Sequence, residues 1–179
     1  MKTFALMAVL ASVSAFAQSP VDGMPNAKGV YYKSGENWSS LSWNMMWPTI
    51  HNQVRDFLSI GKRQYVAEVP GQHATLQVGE AQPVFFVRGL GNGITPRLVQ
   101  FTNKKDYRQV KMKDASLFAP RVPIEDKEMR DIEIAVLSEN IIAVRPKGNL
   151  PAGEYAIVTN TLEDSQRMMM SFEFSIAAH

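Results

Sequence analysis

Cysteine is absent from all 179 residues. That excludes disulfides, thiol catalysis and cysteine-ligated zinc. Histidine is scarce. His51, His73 and His179 lie far apart, so no two fall within the four-residue spacing of a helical or strand zinc clip. Charge of one sign is also missing, since 19 Lys and Arg against 17 Asp and Glu leave a formal +2. Nucleic acids and anionic membranes select positive charge gathered on one face. The single basic stretch, Lys104-Lys105 with Arg108, Lys111 and Lys113, reads as a solvated hairpin tip. Past the first residues nothing approaches the ~20 apolar positions of a spanning helix, so no integral membrane insertion is expected.

Catalytic spacings are missing too. The chain has no Gly-x-Ser-x-Gly, His-Glu-x-x-His, Walker loop or dinucleotide fingerprint. The glycine-rich run Gly89-Leu90-Gly91-Asn92-Gly93 joins two predicted strands, whereas a phosphate cradle needs a helix N-terminus behind it. Carboxylate pairs such as Glu125-Asp126 and Glu163-Asp164 fall in loops, where acids are ordinarily solvated. No catalytic residue, metal ligand or cofactor is assigned on these grounds, and no enzyme is expected.

What is present begins with a leader. Met1-Lys2-Thr3 precedes an apolar run from Phe4 to Val13, and Ala15 and Ala17 supply the small residues of a cleavage site before Gln18. That order is a secretory signal peptide over residues 1 to 17, which places the mature chain in a bacterial periplasm or outside the cell. Loss of Lys2 takes the net charge from +2 to near +1. About 160 residues remain, enough for one domain that buries nearly 70% of its unfolded surface without covalent staples.

Residues 18 to 28 mix Pro, Gly and Asn and read as a flexible lead-in to a single domain over 29–179. Gly29 to Lys33 and Trp38 to Leu41 flank a turn and form an opening hairpin. Ile50, Val54, Phe57 and Leu58 share one helical face, which predicts a short helix over about 49–60. Thereafter the period is two. Tyr65-Ala67-Val69, Ala74-Leu76-Val78 and Ile132-Ile134-Val136 alternate, and Val84 to Val87 is a continuous apolar run suited to a strand covered on both faces. Leu98 to Thr102 and Tyr107 to Met112 flank a four-residue connection. Met170, Phe172, Phe174 and Ile176 alternate strictly with Ser171, Glu173 and Ser175, the pattern of a half-buried strand. The expectation is an all-β sandwich of about eight or nine strands.

Two features stand apart from the scaffold. Tyr32, Trp38, Trp43 and Trp47 crowd one stretch and are the candidate binding residues, an aromatic surface for a sugar ring, a peptide or an apolar ridge. Ten methionines, with Met45-Met46 and Met168-Met169-Met170 clustered, supply thioether sulfur, a soft ligand for Cu(I). The parity of Phe172 and Phe174 turns Met168 and Met170 inward as gap-fillers, leaving Met169 outward.

Leu150-Pro151-Ala152-Gly153-Glu154-Tyr155-Ala156-Ile157, followed by Phe172-Glu173-Phe174-Ser175-Ile176, resembles the closing hairpin of bacterial immunoglobulin-like sandwiches, among them CopC-type copper-resistance domains. The resemblance implies an immunoglobulin-like fold. It does not bring that family's copper ligands, since Gln18 and Asp164-Ser165-Gln166 stand where its histidines belong. More broadly, Gly29-Val30-Tyr31-Tyr32-Lys33, Pro83-Val84-Phe85-Phe86-Val87-Arg88 and the Leu-Pro-x-Gly-Glu-Tyr turn resemble uncharacterised exported β-sandwich proteins of environmental bacteria. The reading is a non-catalytic exported module that engages an envelope protein or surface polymer. The alternatives are soft-metal binding through methionines and a hydrolase whose carboxylates converge only in the fold.

Overall fold

The computed structural model describes residues 21–46, 48–51, 64–89, 95–113, 124–160 and 169–178. The predicted signal peptide, Trp47, His179 and most of the predicted helix lie outside them. The described chain is all-β, built from fifteen strands in three antiparallel sheets stacked as layers. The front sheet has the order β12 (Ile132–Ser138), β13 (Ile141–Pro146), β7 (Phe85–Arg88), β1 (Gly29–Ser34), β2 (Asn37–Ser40). The middle sheet runs β11 (Met129–Arg130), β8 (Arg97–Gln100), β14 (Gly153–Asn160), β15 (Met169–Ile176), β3 (Ser42–Met46), with short β6 (Gln77–Val78) added parallel to the end of β15. The back sheet is β4 (Pro48–His51), β5 (Gln64–Pro70), β10 (Tyr107–Met112), β9 (Thr102–Asn103).

Side-chain alternation on the middle strands explains the stacking. Tyr155 and Ile157 of β14, with Phe172, Phe174 and Ile176 of β15, meet Val30, Tyr32, Phe85, Val87 and Val144 of the front sheet. The intervening Ala156 and Val158, with Val99 and Met169, meet Tyr65, Ala67, Val69, Val110 and Met112 of the back sheet. Phe85 stands 4.4 Å from Phe174 between ring centres, and Phe174 lies 5.6 Å from Tyr155 in a stacked arrangement. Burying one such ring contributes ~1.5–3 kcal/mol.

The opening hairpin forms as expected, with Ser34 opposite Asn37 and Gly35 at φ 59° in the two-residue turn. The continuous apolar run is also covered on both faces. Phe85 and Val87 enter the front–middle core, while Phe86 packs outside with Met24, Tyr31 and Trp38. Two tyrosines brace the start of their strands in the same way. The Tyr155 hydroxyl donates to the Pro151 carbonyl at 2.8 Å, and Tyr31 donates to Ala27 at 2.9 Å, each four residues upstream.

Three expectations change. Fifteen described strands replace eight or nine, because the chain passes from sheet to sheet at single residues, which divides the strand read over Leu98 to Thr102 and adds short strands in segments read as irregular. Leu41 separates β2 in front from β3 in the middle, Phe101 separates β8 from β9, and Asp131 separates β11 from β12. The start of the predicted helix is strand instead. Pro48–His51 pairs with Gln64–Ala67, where an interstrand ladder outweighs a weak helical face; residues 52–60 lie outside the described chain. Finally, β15 is buried on both faces, Ser171, Glu173 and Ser175 included, because the back sheet covers its polar side.

Candidate functional site

The four aromatic candidates do not share one surface. Tyr32 points into the front–middle core beside Phe85, at 5.9 Å between ring centres. Its hydroxyl reaches Glu80 and Ser34, and burial, reinforced by the Glu80 charge, pushes it above its ordinary value. Trp38 lies on the opposite, outer face of the front sheet. It meets Phe86 edge-on at 5.1 Å, donates Nε1–H to the Asp22 carbonyl at 3.2 Å, and carries the Lys33 ammonium 5.2 Å from its ring centre. Trp43 alone of these three presents most of its side chain to solvent, at 54% exposure. Trp47 is outside the described residues.

Trp43 does not stand alone. Met45, 48% exposed, is two residues further along β3 and therefore on the same face. Across the ladder Trp43 is opposite Phe172 and Met45 is opposite Met170. Because Phe172 faces the front sheet, Trp43, Met45 and the partly buried Met170 continue that apolar face toward the rim. They form a ledge at the end of the middle sheet, where β3 is the last of the described strands. The other face of the same strands is closed, with Met46 and the opposed Met169 both in the back core. The parity expected for Met170 therefore holds, but it is Met169 that is enclosed, for the same reason that β15 is covered on both sides.

The sequence reading missed a second constellation. Arg108, placed in a solvated basic tip, is only 2% exposed. Inward parity on β10, shared with Val110 and Met112, carries it between the middle and back sheets. There Nη1 donates to Glu154 at 3.3 Å and Nη2 to Glu173 at 2.5 Å. Nε and Nη2 also donate to the Gly71 and Pro70 carbonyls at 3.1 and 3.2 Å, and the guanidinium lies 5.6 Å from the Phe101 ring centre. Glu173 further accepts from Asn44 and Ser171 at 2.8 and 3.0 Å. Glu154 accepts the Ala74 N–H at 2.7 Å and meets His73 Nδ1 at 3.0 Å, with His73 itself 72% exposed at the mouth. The strict apolar–polar alternation of β15 was the available signal, since such a polar row can face either solvent or a paired charge.

Two carboxylates thus converge, as the hydrolase alternative requires. Each, however, already receives three hydrogen bonds or ion-pair contacts, and a guanidinium lies between them. Such a cluster clamps two sheets together. Among the described residues no group of three His, Asp or Glu is gathered for a metal ion, and no helix is long and apolar enough to cross a membrane.

No family model matches the chain, and neither a curated protein nor a solved structure shows significant similarity to it.

Proposed function

We propose that the protein is an exported, non-catalytic binding module that engages an envelope protein or surface polymer through the β3 ledge. The observation that carries this reading is the joint exposure of Trp43 and Met45 on one face of a terminal strand. A large aromatic side chain with no core to fill is the usual anchor of a contact. Among the described residues no strand pairs with the outer side of β3, which adds to it, because an extended segment of a partner can join as the next strand and place alternate side chains against the ledge. Within this reading the front and middle sheets are an immunoglobulin-like sandwich to which a third sheet has been added, and the tyrosine brace at Tyr155 supports the likeness.

The test is capture of crosslinked partners from intact cells with wild-type chain and with Trp43→Ala/Met45→Ala. The double variant should lose the partner while melting within a few degrees of wild type. Retention of the same partner by the double variant would remove the ledge from the account.

A further inference from the structure

We propose that Met45, Met170 and Trp43 form a surface site for a soft monovalent cation of the Cu(I) or Ag(I) class. β3 and β15 carry two opposed methionine pairs, Met45 with Met170 and Met46 with Met169. Met46 and Met169 are enclosed in the back core, where thioethers fill space. On the ledge Met170 is partly buried against the rim of the front–middle core, whereas Met45 is 48% exposed, so packing does not account for Met45. Directly opposed residues hold their Cβ atoms ~4.5–5.5 Å apart. Three flexible bonds on each side chain then let both sulfurs converge above the ladder.

Thioether sulfur selects soft cations over the hard ones that prefer carboxylate. Trp43 sits one position away on the same face, opposite Phe172, and diagonal neighbours across a ladder remain within reach of an aromatic ring. An indole face attracts a cation within ~6 Å of its centre. The absence of cysteine removes the thiolate that would otherwise outcompete such a site within the chain. Trp43 gives the site an optical reporter. This inference does not depend on the partner reading above, because it concerns the isolated chain.

The experiment is titration of the full chain with Ag(I) in chloride-free buffer, followed by calorimetry and tryptophan fluorescence, and repeated with Cu(I) under a reductant. One equivalent should bind saturably at micromolar concentration and quench Trp43. Met45→Leu and Met170→Leu preserve side-chain volume, and each should weaken binding at least about tenfold. Methionine methyl resonances supply a second reading in the unaltered chain, where Met45 and Met170 should shift while Met46 and Met169 do not. Absence of saturable binding, affinity unchanged in both leucine variants, or resonance shifts confined to other methionines would each overturn the proposal.

Discussion

Replacing Arg108 with methionine keeps a long side chain between the middle and back sheets but removes the guanidinium shared by Glu154 and Glu173. Both carboxylates would remain enclosed, with their other contacts but without the Arg108 charge. Removing one partner of a buried ion pair typically destabilises by ~3–5 kcal/mol. Two acids share this cation, and the middle of that range, about 4 kcal/mol, is the expected cost. In a domain of this length each kcal/mol moves the melting temperature by ~2–4 °C, so the fall should be about 8–16 °C. Urea denaturation at constant m gives the same quantity as a change in midpoint. The triple change Arg108→Met/Glu154→Leu/Glu173→Leu removes all three charges together, and it should recover most of the loss or exceed wild-type stability. Lys113→Met, which breaks the exposed pair with Asp126 at 2.7 Å, is the comparison and should cost under ~1 kcal/mol. If Arg108→Met is no more destabilising than Lys113→Met, the guanidinium is not enclosed in solution and the three-layer arrangement fails.

The remaining predictions concern packing, pH and the ledge. Tyr155→Phe deletes the hydroxyl that reaches Pro151 and should cost ~1 kcal/mol in denaturant melts. Burial raises the Tyr155 and Tyr32 hydroxyls above their ordinary value. The unfolded chain therefore ionises first, near pH ~10. Their contribution to stability is complete below that pH and is lost as pH rises through the folded values; Tyr32→Phe or Tyr155→Phe should flatten the fall in urea midpoint above pH ~10. Phe174→Ala empties the centre of the front–middle core and should cost ~3–5 kcal/mol by the same assay. Trp43→Ala, by contrast, should leave stability within ~0.5 kcal/mol, since the ring is mostly in water.

Much of the strand pattern was legible because period two is a direct consequence of pleating. The opening hairpin, the doubly covered Phe85–Val87 run and the paired Gly153–Asn160 and Met169–Ile176 strands all follow from it. The third sheet was not legible. Ser171, Glu173 and Ser175 carry the same pattern whether water or Arg108 lies opposite, and Arg108 sits within a run of cations that reads as surface. Strand switching was hidden for a related reason. A bend at Leu41 or Phe101 leaves the local alternation almost intact while moving the chain to a new layer. Of the candidate site, the aromatic cluster could be located but not sorted. Its residues fall on alternate faces of β1 and β2 and on the next sheet, and adjacency in sequence says nothing about which face is covered.

The proposal that the β3 ledge is the contact surface is tested most directly by placing a photo-crosslinking residue at position 43 in the full chain in intact cells. Position 136 serves as the comparison, because Val136 is at least as exposed on β12 at the far edge of the front sheet. A recurrent adduct of one size from position 43, absent from position 136, is the predicted result. Adducts only from position 136, or the same pattern from both, would contradict the account.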